Sequence, residues 1–542
     1  MPRMTGGQAL VEMLQRHGVD TLFALPGVQN DALFNALYDA GGAIQVIHTR
    51  HEQGAAYMAY GYAKSTGRVG AYSVVPGPGV LNTTAALSTA YATNARVLCL
   101  TGQIATPLIG RGQGHLHELP DQLGILRGLT KWAARVEHPA QTQLYVDEAF
   151  RQLYSGRPRP VALEIPPDVL ALGTEVTLHH DPVSLPVYPP DPALIDQAAA
   201  LLAEAQRPLI LVGSGADDAG EELCDVCELL QAPAVSHSSG RGILDDRHYL
   251  SLRGPEGHRL WADADVVMAV GTRLLRPVIQ WGVDPGLKLI RVDIDPVELG
   301  RVHPPTVGIV ADAALALAAL RDALLARGVT PRPSRAAELT ALKTEFKAAY
   351  SGLQPQYDFL MTIREELPED GLFVDEVTQV GYVSGFAFPV YRPRTLISSG
   401  YQGTLGYGFA TALGVKVAHP DRPVVSVNGD GGLLYTISEL ATAVQQGIGL
   451  VAVVFADGAF GNVLRMQQQQ HGGRVIASRL HNPDFVKLAE SFGAHGERAE
   501  SLPQLRQALR DGFNRPGPTL IEVPVGPMPS PWQFVMMPRV RG

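Results

Sequence analysis

Two acidic residues stand where chemistry is expected. Asp430 lies in Asn-Gly-Asp-Gly-Gly, residues 428–432, directly after the apolar run PVVSV. Such a run reads as a buried strand, and open α/β sheets bind ligands at the carboxyl ends of their strands. Gly429, Gly431 and Gly432 would let backbone N–H groups approach phosphate oxygens, and a helix expected to begin near Thr436 would aim its positive end nearby. A second apolar run, LVAVVF, ends in ADGAFGN and carries Asp457 to the same edge. Asp430, Asp457 and the carbonyl of Ala459 would complete a near-octahedral oxygen shell for Mg²⁺, together with two diphosphate oxygens and a water. Gly-Asp-Gly is by itself also a common turn, but two such turns without a cation would leave like charges facing each other.

The elements that must position these residues follow from pattern. At 542 residues the chain exceeds one ordinary core, and three α/β segments are the economical reading. Residues 1–180 alternate helical periodicity with strand candidates such as VGAYSVV and RVLCLTG; residues 190–330 repeat the rhythm with RPLILVGSG, ADVVMAVGT and KLIRVDID. Residues 340–542 contribute GLFVDEV, PVVSVNGDG, LVAVVFADG and PTLIEVPVG. The expected fold is three doubly wound parallel-sheet domains, with linkers at Pro182–Pro192 and at 331–335. Short apolar runs bounded by turns carry this reading.

Composition excludes several classes. The charge is −9 with both signs dispersed, so no phosphate-backbone footprint exists and nucleic acid is not an expected partner. No apolar stretch is long enough to span a membrane and no signal-peptide order opens the chain, so a cytoplasmic protein is expected. Cys99, Cys224 and Cys227 are too few for a disulfide framework; the last two read as one face of an amphipathic helix and Cys99 as a core residue. The four glutamines 467–470 read as a solvated helix face.

Further residues become legible through likeness. The segment TRHEQGAAYMAYGYAKSTGR, residues 49–68, follows the strand-like AIQVI and contains Glu52; YQGTLGYGFATALG spans 401–414. With the paired aspartates, these resemble the thiamine-diphosphate enzymes of the acetolactate synthase, pyruvate decarboxylase and benzaldehyde lyase superfamily. PGPGVLN at 76–82, LTGQ at 100–103 and IRVDIDPVELGR at 290–301 extend the likeness along the chain, with the acetolactate synthase large subunit as the nearest type. The resemblance implies thiamine diphosphate and Mg²⁺ as cofactors, Glu52 as the hydrogen-bond partner of the cofactor's pyrimidine nitrogen, Leu405 as a wedge under the bent cofactor, and the Gly403 carbonyl as acceptor for its amine. It also implies a homodimer or homotetramer with the site shared between subunits. A protonated Glu52 in an apolar pocket, its pKa raised by burial, would serve that role.

The implied reaction is decarboxylation of a 2-oxo acid, carboligation, or both, with the thiazolium ring as electron sink. A lyase or hydrolase of 2-hydroxyketones or diketones is the alternative within enzymes, and a catalytically inactive cofactor-binding partner chain is the alternative outside them. Near the reacting carbon, Gln29, His117 and Glu118 are the candidates for substrate and proton handling. The sequence departs from the acetolactate synthases at Ala456-Asp457 in place of paired asparagines, at Met466 in place of a tryptophan, and around Ser251–Gly282, where the flavin loop is abbreviated, which makes FAD doubtful.

Overall fold

A computed structural model describes residues 3–179 and 183–542; Pro182, the expected start of the first linker, lies outside the described residues. The described residues form three six-stranded sheets and one small antiparallel pair, β1 (Arg3–Thr5) with β8 (Gly173–Glu175). The expected α/β class of three parallel-sheet layers is borne out.

The N-terminal sheet runs in the order β3-β2-β4-β5-β7-β6, from β2 (Thr21–Ala24), β3 (Gln45–His48), β4 (Gly70–Val74), β5 (Val97–Gly102), β6 (Trp132–Arg135) and β7 (Val161–Ile165). All its pairings are parallel. Strands β4, β5 and β7 are buried along their whole length, which is why they read as unbroken apolar runs.

The central sheet has the order β11-β10-β9-β12-β13-β14, with β9 (Leu209–Val212), β10 (Ala234–Ser236), β11 (Ser251–Arg253), β12 (Val266–Val270), β13 (Lys288–Asp293) and β14 (Val307–Val310). Cys227 is buried on the Gly220–Leu230 helix and Cys224 is half-buried there. Residues 331–335 are irregular, as a linker would be, yet Arg332 ties them down by donating to the carbonyls of Leu202, Ala203 and Ala205.

The C-terminal sheet orders its strands β16-β15-β17-β18-β20-β19: β15 (Leu372–Val374), β16 (Leu396–Ile397), β17 (Val424–Gly429), β18 (Val451–Ala456), β19 (His495–Arg498) and β20 (Thr519–Pro524). By compactness the chain divides into two units. One holds Met1–Leu185, Val374–Val377 and Ser399–Val525; the other holds Pro186–Phe373, Thr378–Ser398 and Gly526–Gly542.

Inside the first unit, the helices Glu52–Thr66 and Gly408–Ala418 cross at backbone distance. A Cβ on Gly61 would sit 2.1 Å from the Thr411 carbonyl oxygen, and one on Gly414 would sit 2.0 Å from that of Met58. The alanine- and glycine-rich sequences GAAYMAYGYA and GFATALG are thus the condition for this contact, which fixes the helix carrying Glu52 against the element that follows Leu405. Among the described residues, no helix is long and apolar enough to cross a membrane.

Candidate active site

Strands β17 and β18 are parallel neighbours with Gly429 opposite Phe455, so the residues that leave them, Asp430 and Asp457, emerge side by side at one sheet edge. Asp430 opens a single helical turn, Asp430–Leu433, directly after β17; the longer helix starts at Glu439, not near Thr436 as expected. The N–H groups close to Asp430 are therefore those of the Gly431 turn and the facing loop. Asp430 is 1% exposed, and its Oδ1 accepts from the Gly431 N–H at 2.7 Å. Its Oδ2 accepts from the Gly458 N–H at 2.7 Å and from the Asn482 amide at 2.6 Å.

Asp457 is half-buried and pushed up to about 6, first by burial and then by the charge of Asp430. The Ala459 N–H donates to it at 3.1 Å. Its loop is held by Phe460 N–H to the Ser478 carbonyl at 2.9 Å and Leu480 N–H to the Gly458 carbonyl at 2.7 Å, bonds made on either side of Ala459. Two convergent carboxylates and the buried, unpartnered Oδ1 of Asn482 are a hard-oxygen donor set of the kind a divalent cation takes. The glycines make room for their neighbours: a Cβ on Gly431 would stand 2.6 Å from Phe460, and one on Gly432 would stand 3.1 Å from the Glu376 carboxylate.

Glu52 begins its helix at the first turn, with the His51 ring capping Gln53 N–H at 3.1 Å. It is half-buried at the helix start. The Asn82 amide donates to its Oε2 at 2.9 Å.

Gly403 is exposed at φ +54° with open space where a Cβ would go, and Leu405 beside it is half-buried. The segment is braced from behind by Glu376, which no pattern singled out. This carboxylate is buried beyond the end of β15, accepts from Gly406, Gly408 and Val377 N–H groups, and is pushed up to about 7 by burial despite those bonds. Tyr407 is fully buried beside it and donates to Asp375.

Gln29 and His117, 88 residues apart, meet at 3.1 Å between Oε1 and Nδ1, while Gln29 Nε2 donates to the Leu116 carbonyl at 3.3 Å. An amide oxygen only accepts, so Nδ1 is the donor in this contact. His117 adopts φ +69°, a left-handed conformation stabilised by its loop. The Glu118 carboxylate accepts from the N–H groups of Gly112, Gly114 and His115 at 2.7–2.9 Å. Those bonds, that of His115 first, lower its pKa, so it organises the loop that presents His117.

Models of the thiamine pyrophosphate enzymes match the chain in three stretches: the N-terminal TPP binding domain over residues 4–125, the central domain over 195–320 and the C-terminal TPP binding domain over 377–523. Similar proteins include a probable 2-ketoarginine decarboxylase of Pseudomonas aeruginosa, 35% identical across 96% of this chain and 94% of that protein. A probable acetolactate synthase large subunit of Methanocaldococcus jannaschii is 32% identical across 97% and 92%, and an acetolactate synthase of Arthrospira platensis is 33% identical across 96% and 94%. The chain belongs to the thiamine pyrophosphate enzyme family and is a thiamine-diphosphate-dependent decarboxylase or carboligase of the acetolactate synthase type.

Proposed function

We propose that this enzyme decarboxylates a small 2-oxo acid, and joins the product to a second carbonyl compound where water is excluded, using thiamine diphosphate anchored by Mg²⁺. The observation that carries the reading is the convergence of Asp430 and Asp457 at the ends of adjacent strands, with Asp457 driven upward by burial and by its neighbour. Asp430, Asp457 and the Ala459 carbonyl would hold the cation, and the turn of Gly429, Gly431 and Gly432 would receive the diphosphate. Bound thiamine diphosphate supplies the sink for the electron pair that carbon dioxide leaves behind.

The other residues orient and move protons. Glu52 would face the pyrimidine nitrogen of the bound cofactor, the Gly403 carbonyl would accept from its amine, and Leu405 would pack against it. His117, oriented by Gln29, offers Nε2 to the substrate side.

Apolar side chains left exposed beside both half-sites support a homodimer or homotetramer with the active site between copies. Val28, Leu81 and Leu116 flank Gln29, Asn82 and His117; Leu434, Tyr435, Val463 and Met466 follow the two aspartates. The domain limits in this reading are 1–180 for the pyrimidine half, 190–330 for the central domain and 340–542 for the diphosphate half. The location in this reading is cytoplasmic, and the abbreviated loop around Ser251–Gly282 argues against FAD.

The test is a panel of 2-oxo acids, beginning with pyruvate and 2-ketoarginine, incubated with the purified protein, thiamine diphosphate and Mg²⁺. Carbon dioxide release from at least one member is expected. Cofactor uptake by calorimetry without release from any member would remove the decarboxylase reading.

A further inference from the structure

Arg50 and His51 lie between the end of β3 and the start of the Glu52–Thr66 helix, with no strand or helix of their own to hold them, yet they set the direction in which that helix leaves the sheet. Their backbone donors are taken by a carboxylate far away in sequence. Glu439, the first residue of the Glu439–Gln446 helix, is fully buried, and its Oε1 accepts from the His51 N–H at 2.9 Å and the Arg50 N–H at 3.2 Å. Oε2 accepts from the Arg50 N–H at 3.1 Å and from the Thr442 hydroxyl at 2.7 Å. Both oxygens are thus saturated by donors, two of them backbone groups immediately ahead of Glu52.

Two neighbours adapt to this arrangement. Gly54 must lack a side chain, since a Cβ there would lie 2.4 Å from Glu439 Oε1. Thr436, three residues before Glu439, donates to the Gly406 carbonyl at 3.2 Å. The stretch Thr436–Thr442 therefore acts as a strut, touching the segment of Leu405 at one end and that of Glu52 at the other.

We propose that Glu439 is a positioning residue for Glu52: by clamping the Arg50 and His51 amides it fixes the entry of the Glu52–Thr66 helix, and so the point in space at which the activating carboxylate meets its partner. The inference rests on the reading of Glu52 as that carboxylate. Glu439→Gln conserves shape but turns an NH₂ toward groups that are themselves donors. A displacement of about 1 Å of an acting group costs up to about 100-fold in rate, so kcat should fall about 10- to 100-fold while the substrate KM holds.

The decisive measurement is a double-mutant cycle of Glu439→Gln with Glu52→Gln, accompanied by amide hydrogen exchange of the enzyme. Expected are faster exchange at Arg50 and His51 and no further loss of residual kcat when Glu439→Gln is added to Glu52→Gln, because the group being positioned is already gone. An equal loss in both backgrounds would mean a general structural role and overturn the proposal. So would a Glu439→Gln enzyme of wild-type kcat beside an inactive Glu52→Gln one. A Glu52→Gln enzyme as active as wild type would instead remove the reading underneath. If Glu439→Gln does not fold, Thr442→Val removes one donor from the carboxylate and should lower kcat in the same direction by a smaller factor; an unchanged kcat there would also overturn the proposal.

Discussion

Replacing Glu376 by glutamine should change how stability depends on pH, and the sign follows from the folded environment. Burial raises this carboxyl from 4.5 to about 7, against the pull of the Val377, Gly406 and Gly408 N–H groups. The folded state therefore prefers the protonated acid, and the stability this group contributes is complete below about pH 4.5 and lost as pH rises through 7. The rise corresponds to about 3 kcal/mol, lost by the wild-type protein between the two limits. Glutamine is uncharged like the protonated acid: Oε1 keeps the bonds from Gly406 at 3.0 Å and Val377 at 3.1 Å, but its NH₂ meets the Gly408 N–H as donor against donor, where the carboxyl oxygen accepted at 3.3 Å. At pH 5 the variant should therefore be less stable than wild type by about 1–3 kcal/mol, and between pH 5 and pH 8.5 it should gain about 2–3 kcal/mol on wild type. Urea midpoints of the cofactor-free protein across this range measure the difference, in which groups titrating in both proteins cancel. Parallel pH curves for the two proteins would refute the assignment of a buried, charge-averse carboxyl at this position.

Three other outcomes are expected. Chelation of divalent ions should abolish activity and calorimetric uptake of thiamine diphosphate, with both restored by Mg²⁺, and Asp430→Ala should lose both irrecoverably because no second carboxylate replaces it on that strand. Gly414→Ala should lower stability by about 1–3 kcal/mol or more, read from denaturation midpoints, since its methyl group would meet the Met58 carbonyl at 2.0 Å with only backbone to yield. His117→Ala should reduce kcat/KM by about 100-fold while calorimetric cofactor affinity stays unchanged; an equal loss of cofactor affinity would place the residue in cofactor binding instead.

What the sequence revealed and what it hid divide along the range of the interactions. Asp430 and Asp457 were legible because each terminates a strand buried on both faces, so local pattern alone delivers them to a sheet edge; the pairing of Gly429 with Phe455 then leaves them no choice but to meet. Gln29 and His117 could be named as types suited to the reaction, but their 3.1 Å contact depends on a turn at φ +69° that no periodicity encodes. Glu118 could be named as a carboxylate in the right loop, but the three N–H groups that converge on it are set by the course of the loop and not by any periodicity. Charge on a loop is chemically ambiguous until its donors are known.

Glu439 illustrates the opposite failure. In sequence it is an ordinary first-turn glutamate in ISELATAVQQ, where interaction with its own helix explains it fully. Its partners Arg50 and His51 lie 389 and 388 residues earlier, and the glycine that makes room for it, Gly54, reads as one small residue among many in GAAYMAYG. Asn482, which meets Asp430 from 52 residues away, is hidden for the same reason. The residues that bear directly on bound groups sit at element ends and betray themselves by type and spacing, whereas those that hold them in place are defined by backbone donors, which every residue but proline possesses and which sequence cannot tell apart. It follows that in this fold a buried carboxylate saturated by N–H groups from another element, as at Glu376 and Glu439, marks a support of the site as reliably as the paired aspartates mark its centre.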